Sequence, residues 1–289
     1  MTTAVPTAND FYAEALQAIE GNNLILARQK CADALCAEPG HSPATELILK
    51  LATTIAYNEA QRRFPGIKYT DWLSILHSAI KPRTYVEIGV AGGHTLQLSQ
   101  PSTCSIGIDP AYNIECQINS WSRLFRITSD DFFAQNDLGA LFAGTPVDFA
   151  FIDGLHTFDQ ALKDFINIER YSHKNTIVVA HDIFPVEPLT ALRDRVTQFW
   201  VGDTWKLVPL LIAERPDLRI FTIPTYPSGL VVITNLDPES RVLSERCDQL
   251  IGDYMNRLDD QVMEAESMLN VVPNDVDNIL NALGLRVGN

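Results

Sequence analysis

Four side chains with acid-base or metal-binding chemistry follow two neighbouring apolar segments in the middle of the chain. Asp153 and His156 follow one segment, and His181 and Asp182 follow the next. Two carboxylates held close together without a partner repel each other, which favours either a general base or a site for a hard cation. An imidazole titrates near neutral pH, so His156 is a candidate proton acceptor. These four residues form the candidate reaction centre.

A glycine-containing segment precedes this centre and has the pattern E-x-G-x-x-x-G over Glu87, Gly89 and Gly93. A dinucleotide fingerprint requires a second glycine where this chain has Ala91. An acid two residues before the first glycine would repel a pyrophosphate and suit a cationic ligand. The segment therefore favours a sulfonium cofactor with an amino group over a nicotinamide dinucleotide, and a bulky side chain at position 89 is expected to collide with that cofactor.

Two further acids stand at the ends of the next predicted strands. Asp109 lies 22 residues after Glu87, a position from which a carboxylate can accept from both ribose hydroxyls. Asp130 follows the third strand and can accept from an adenine amino group. Either acid taken alone could instead be a helix N-cap.

The elements that must position these residues alternate between short apolar runs and helical stretches after Pro82. Runs that are polar only at their ends are typical of strands buried on both faces of a parallel sheet. They span residues 85–88, 105–108, 124–128, 147–152 and 176–180, and residues 218–223 and 229–234 resemble an antiparallel pair. The pattern predicts an α/β fold, a Rossmann-like doubly wound and mostly parallel sheet with an antiparallel closing hairpin.

Helical patterns precede and follow the predicted sheet. Residues 11–64 indicate three helices with short turns, and the spacing of Ala15, Ala27, Ala34 and Pro39 resembles one tetratricopeptide-like hairpin. The alternative is a helical extension packed on the main domain or on a second subunit. We divide the chain into a helical segment (1–66), a catalytic domain (67–236) and a helical tail (237–289), and either terminal segment could mediate homo-oligomerisation.

The tail itself has two helical patterns. Apolar residues recur at helical spacing from Leu243 through Leu258 to Val262, which predicts a long amphipathic helix. A short last helix is expected around Val276 to Leu283, with Gly284 as its left-handed stop.

Charge and cysteine content narrow the possible partners. The 289 residues contain 36 acidic and 22 basic side chains, a net charge of −14 that disfavours nucleic acids and anionic membranes. Five cysteines without a C-x-x-C pair argue against a disulfide framework and a thiolate zinc site. The first residues lack the features of a leader and no apolar run approaches membrane-spanning length, so a cytoplasmic protein is expected.

Over residues 70–236 the sequence resembles the class I S-adenosylmethionine-dependent methyltransferases. The likeness includes motifs of a bacterial group of small-molecule and sugar O-methyltransferases: T-S-D-x-F-F at 128–133, F-I-D-G-x-H at 151–156 and H-D at 181–182. The resemblance implies that Glu87, Gly89 and Gly93 hold the methionine end of the cofactor. It likewise assigns the ribose to Asp109 and the adenine to Asp130.

The resemblance also implies a divalent ion, usually magnesium, held by Asp153 and Asp182. His181 occupies a position that is often a carboxylate in the metal-dependent sugar enzymes, and an imidazole ligand would favour manganese, iron or zinc more than magnesium. The implied reaction is methyl transfer to oxygen on a small hydroxylated acceptor such as a sugar or a polysaccharide precursor. In that reaction Asp153 belongs to the reaction centre and His156 is the proposed base.

Two other functions fit parts of the pattern. One is N-methylation of a small amine, which the absence of an N-P-P-Y-type motif after the fourth strand disfavours. The other is a non-catalytic cofactor-binding scaffold that acts through its helical amino-terminal segment. The intact glycine segment and its acids argue against a degenerate site.

Overall fold

The amino-terminal part of the chain is helical. The structure, a computed structural model, describes residues 5–255 and 259–285. Its first four helices are α1 (Ala8–Glu20), α2 (Leu24–Ala37), α3 (Ser42–Arg63) and α4 (Tyr69–Ile80). The three helices expected over residues 11–64 are present, whereas α4 was not anticipated.

Local sequence explains where these helices begin and how they pack. Thr7 and Asp10 form a capping box at α1, and the Asn23 side chain accepts from the Leu26 amide at α2. Ala15 and Ala27 are fully buried where α1 packs on α2, because small side chains let two helices approach closely.

A seven-stranded sheet forms the centre of the molecule. Its strands are β1 (Thr84–Ile88), β2 (Cys104–Ile108), β3 (Trp121–Phe125), β4 (Phe149–Ile152), β5 (Ile177–His181), β6 (Arg219–Ile223) and β7 (Leu230–Thr234). They are ordered β3-β2-β1-β4-β5-β7-β6. The first five are parallel, and β7 is antiparallel to both of its neighbours. The predicted mostly parallel Rossmann-like sheet with an antiparallel closing pair is confirmed.

The central strands are buried because both of their faces are apolar. On β4, Phe149 and Phe151 belong to one hydrophobic cluster, while Ala150 and Ile152 belong to the cluster on the opposite face. This alternation is the two-residue period of a strand. The sheet therefore carries apolar cores on both sides.

The helices that follow the strands are shorter and fewer than the sequence suggests. They are α5 (Ser129–Gln135), α6 (Leu138–Leu141), α7 (Phe158–Glu169) and α8 (Leu207–Glu214). Between β1 and β2, after the glycine segment, lies a 3-10 turn, Leu96–Leu98, rather than an α-helix. Ser99 ends that turn with its amide bonded to Leu96, and Pro101 follows two residues later.

The third strand was placed three residues too late. It spans Trp121–Phe125 rather than 124–128, because β2 pairs it in register from Trp121 to Phe125. Thr128 instead caps α5. As an edge strand β3 leaves Trp121 82% exposed, so apolar content does not mark where the strand begins.

The tail packs against the sheet and against α4. Helix α9 covers Cys247–Met255 and a 3-10 helix covers Asp259–Met268, so the described residues do not form one long α-helix; Leu258 lies outside them. Helix α10 (Val276–Ala282) is followed by Gly284 at φ +68°, as predicted. Among the described residues, no helix is both long and apolar enough to cross a membrane.

Candidate functional site

The glycine segment joins the loops after β1 and β4. Gly89 has φ +89°, and its amide donates to the Ile108 carbonyl at 2.9 Å. A Cβ at this position would lie 1.9 Å from the Asp153 carbonyl oxygen. Glycine is therefore needed here because the protein's own backbone occupies the space of a Cβ, and the expected clash with a cofactor stays a prediction.

Asp109 shapes the same loop. Its Oδ2 accepts from the amides of Val90 (2.9 Å) and Ala91 (2.7 Å), and its Oδ1 accepts from the Ala111 amide (2.6 Å). The carboxylate thus bridges the ends of β1 and β2. Oδ2 uses both of its lone pairs on these amides, whereas Oδ1 has one lone pair left for a ligand hydroxyl.

Glu87 lies beneath the loop. Its side chain is fully buried and accepts from the hydroxyls of Tyr85 (2.6 Å) and Thr95 (2.8 Å). Burial raises the pKa of Glu87 to about 8, although both hydrogen bonds act to lower it. Glu87 is not among the described residues that line the two cavities at the carboxyl edge of the sheet. Its predicted contact with the methionine end of the cofactor stays a prediction.

Asp130 lies in the first turn of α5. The cap of α5 is Thr128, whose hydroxyl accepts from the Asp131 amide at 3.1 Å. The N-cap interpretation of Asp130 is therefore wrong. Gln160, a residue that sequence reasoning missed, donates from Nε2 to Asp130 Oδ1 at 3.0 Å.

Two cavities open at the carboxyl edge of the sheet, where ligands of open α/β sheets bind. The nucleotide-side cavity, of about 480 Å³, is lined by fourteen residues that include Asp109, Asp130 and Gln160. The imidazole-side cavity, of about 320 Å³, includes His181, Asp182 and Ser228. Four residues line both cavities: Gly89, Ala91, Asp153 and His156.

The candidate reaction centre lies at this shared wall. His181 Nδ1 is 3.2 Å from Asp153 Oδ1 and 3.4 Å from Asp182 Oδ2. The structure thus brings together Asp153, His181 and Asp182, and one donor atom from each lies within 4.8 Å of the others. Asp182 adopts φ +60°, a conformation uncommon for a non-glycine residue.

The charges in this cluster perturb one another strongly. Burial alone would lower the pKa of His181, but the carboxylates of Asp182 and Asp153 raise it to about 10. Burial alone would raise the pKa of Asp182, but His181 and His156 lower it to about 2. A proton on His181 therefore offsets part of the negative charge of the Asp153 and Asp182 carboxylates.

One oxygen of the cluster has no hydrogen bond from the described residues. Asp182 Oδ1 accepts from the Ser228 hydroxyl at 2.6 Å, whereas none of the described residues gives the buried Oδ2 a hydrogen bond of acceptable geometry, although His156 Nδ1 is 3.1 Å away. A buried carboxylate oxygen in this state is suited to a metal ion. Ser228, at the β6–β7 turn, is a second residue that the sequence motifs did not identify.

His156 is held by the loop that precedes α8. Its Nδ1 lies 2.8 Å from the Trp200 carbonyl oxygen, and its ring stacks on the indole at 4.9 Å. Because a carbonyl oxygen only accepts, this contact assigns the proton to Nδ1. The other nitrogen, Nε2, is then the one able to accept a proton, and it lies 3.7 Å from Asp153 Oδ1.

Comparison with known proteins finds a family match over the parallel strands of the sheet. Residues 86–183, from β1 to the end of β5, match a family described as a methyltransferase domain. No curated protein matches the chain.

Solved structures with a similar arrangement include three methyltransferases. The O-methyltransferase TomG of Streptomyces achromogenes, in complex with SAM, is 15% identical with a TM-score of 0.44; the alignment covers 64% of this chain and 90% of that one. An O-methyltransferase of Bacillus cereus in complex with SAH is 15% identical with a TM-score of 0.42 over the same shares. SAH-bound PaMTH1 of Podospora anserina is 16% identical with a TM-score of 0.44, covering 64% and 88%.

Proposed function

We propose that the protein is an S-adenosylmethionine-dependent O-methyltransferase, because its residues 86–183 match a family described as a methyltransferase domain. Its proposed acceptor is a small hydroxylated molecule such as a sugar or a polysaccharide precursor, and a divalent metal assists the transfer. The observation that carries this proposal is the wall of Asp153 and His156 shared by the two cavities. A donor in one cavity and an acceptor in the other would meet at that wall.

The nucleotide-side cavity fits the cofactor. Asp109 would accept from a ribose hydroxyl with the free lone pair of Oδ1, and Asp130, oriented by Gln160, would accept from the adenine amino group. Gly89 allows the β1 and β4 loops to touch beneath this cavity. When bound, S-adenosylmethionine supplies an electrophilic methyl group, and these residues present that methyl at the shared wall.

The cluster of Asp153, His181 and Asp182 fits a divalent cation. The fit rests on the buried Asp182 Oδ2 without a hydrogen bond and on the convergence of the three donor atoms. A cation there would lower the pKa of the acceptor hydroxyl. The His181 proton must leave for the imidazole to act as a ligand, so the site would exchange the single charge of a proton for the double charge of the cation.

His156 would remove the proton of the acceptor. As the acceptor oxygen attacks, the new oxygen–carbon bond forms, the sulfur–carbon bond breaks, and the hydroxyl proton passes to His156 Nε2. The Trp200 carbonyl supports this role, because its contact with Nδ1 leaves Nε2 unprotonated in the neutral ring. The sulfur departs as the neutral thioether, which is S-adenosylhomocysteine.

Calorimetric titration with S-adenosylhomocysteine tests the cofactor assignment. The purified protein should bind it, and Asp109→Ala should weaken binding because the loop and the ribose lose the same carboxylate. Asp248→Ala, an exposed acid on α9, is the control. A wild-type protein that binds NADH and not S-adenosylhomocysteine would refute the proposal.

The metal assignment predicts a pH dependence of binding. Since His181 with a pKa of about 10 must lose its proton, affinity for Mn²⁺ or Mg²⁺ should increase as the pH rises from 6 to 9. Asp182→Asn should abolish this binding. Full methyl transfer by a chelator-treated enzyme without added metal would reassign Asp153 as a base or a substrate anchor.

A further inference from the structure

The imidazole-side cavity has aromatic walls, and its described lining contains histidines but neither lysine nor arginine. Its aromatic lining residues are Tyr57, Tyr69, Phe199 and Trp200. None of the described residues that line it is lysine or arginine. Arg195 lies over the Trp200 ring, 5.8 Å from its centroid, and is not one of them.

The electrostatics of this cavity disfavour an anion. Its formal charges are the carboxylates of Asp153 and Asp182, with His181 between them. His94 also lines the cavity, but it is paired with Glu115 at 3.5 Å. A phosphate or carboxylate on the acceptor would lose hydration here beside two carboxylates, and the described lining offers no lysine or arginine to pair with it.

Tyr57 comes from α3, outside the matched methyltransferase domain. Two contacts hold α3 against the cavity: the Tyr57 ring meets Phe199 edge-on at 4.9 Å, and the Gln198 amide donates to Thr53 Oγ1 at 3.3 Å. Tyr57 remains 42% exposed, and no described residue hydrogen-bonds its hydroxyl. Tyr57 therefore places an aromatic ring at the cavity, and its hydroxyl is able to form a hydrogen bond with a ligand.

We propose, on the basis of the function proposed above, that the acceptor is an uncharged hydroxylated ring and that Tyr57 of α3 is a specificity-determining residue for it. A flat aromatic side chain matches the apolar face of a sugar or of an aromatic diol, and a free phenol can bond a ring hydroxyl. The amino-terminal helices thereby complete the acceptor site of the methyltransferase domain.

Matched pairs of probes test the acceptor class. The wild-type enzyme is assayed for S-adenosylhomocysteine release with glucose against glucose 6-phosphate, and with catechol against 3,4-dihydroxybenzoate. The uncharged member of at least one pair should have a kcat/KM about tenfold higher than its charged counterpart, as expected when a charge is buried without a partner. The pair that reacts distinguishes a sugar from an aromatic diol.

Substitutions at Tyr57 test its role. Tyr57→Ala should raise KM for the accepted probe by about fivefold or more with the Kd for S-adenosylhomocysteine unchanged, while Tyr57→Phe retains the ring and reports the hydroxyl alone. Tyr57→Arg should shift the preference within a pair towards the charged member. Trp121→Ala removes an exposed aromatic residue on edge strand β3 and should change none of these values.

Each failure is distinguishable. A preference for the charged members, an unchanged KM in Tyr57→Ala, or no methylation of any probe by a protein that binds S-adenosylhomocysteine would overturn the inference. A wild-type protein that does not bind S-adenosylhomocysteine would overturn the proposed function instead.

Discussion

At the scale of single residues, two histidines that line the same cavity differ in their surroundings. His156 is held by Trp200 at the wall shared by the two cavities, whereas the His94 side chain is 61% exposed and paired with Glu115. Both are imidazoles within the glycine-rich and strand-end motifs. Only His156 lies against both cavities.

This difference predicts unequal effects of substitution. His156→Ala should reduce turnover by about 10²- to 10⁴-fold, the usual contribution of a general base, with little change in the Kd for S-adenosylhomocysteine. His94→Ala is the matched control and should lose far less. Equal turnover of His156→Ala and wild type would leave activation of the acceptor to the metal alone.

A third histidine predicts acid sensitivity. His77 on α4 is 1% exposed, has no hydrogen-bond partner, and lies edge-on to Tyr85 and Phe149. Burial lowers its pKa from 6.5 to about 4, so the unfolded chain binds a proton that the folded chain does not. The stability it provides above pH 6.5 is lost as the pH falls towards 4, by at most about 3 kcal/mol.

Urea unfolding at pH 5 and pH 8 measures this effect. His77→Phe keeps an aromatic ring in the apolar site and should reduce the difference in free energy of unfolding between the two pH values. His94→Phe, at an exposed position, should leave that difference unchanged. A pH dependence that is the same in His77→Phe and wild type would contradict the assignment.

At the scale of elements, the contact between the β1 and β4 loops depends on Gly89. Alanine there would combine a positive φ with a Cβ 1.9 Å from the Asp153 carbonyl. Gly89→Ala should therefore lower the free energy of unfolding by about 3 kcal/mol or more and abolish cofactor binding.

Gly144 separates the two causes. It has φ +79° with no atom within 4 Å of an added Cβ, so Gly144→Ala carries the backbone strain alone, about 1 to 2 kcal/mol. Thermal unfolding and titration with S-adenosylhomocysteine compare the two variants. Equal destabilisation by both would mean that the loop contact is not what requires glycine.

At the scale of the whole molecule, a buried carboxyl group predicts that the free energy of unfolding decreases at alkaline pH. Asp164 on α7 is 1% exposed, and burial raises its pKa from 3.8 to about 7, against hydrogen bonds from Ser129 and Gln160. The folded chain thus holds a proton that the unfolded chain releases. The resulting stability, at most about 4 kcal/mol, is present below pH 4 and lost as the pH rises through 7.

Asp164→Asn replaces the protonated carboxyl with a neutral group of the same shape. The variant should lose less stability than wild type between pH 5 and pH 8, measured by urea unfolding. Asp248→Asn, at an exposed acid, should follow wild type. An Asp164→Asn curve as steep as the wild-type curve would show that Asp164 does not titrate in this range.

The sequence by itself determined the layers and the edge of the sheet that carries chemistry. The apolar runs that precede the polar residues at Asp153 and Asp182 predict strands of a parallel sheet, and parallel strands present their carboxyl ends at one edge. The periodicity of residues 158–166 likewise predicts α7. These features follow from local patterns, because the spacing of apolar residues along an element shows which of its faces is buried.

Tertiary structure alone decided the contacts between segments distant in sequence. Gln160 bonds Asp130, Ser228 bonds Asp182, and Tyr57 lines the imidazole-side cavity, although none belongs to a recognisable motif. The extent of β3 was set by its pairing with β2, and the need for Gly89 by the Asp153 carbonyl. Periodicity shows which face of an element is buried, but the partner on that face depends on how the whole chain packs.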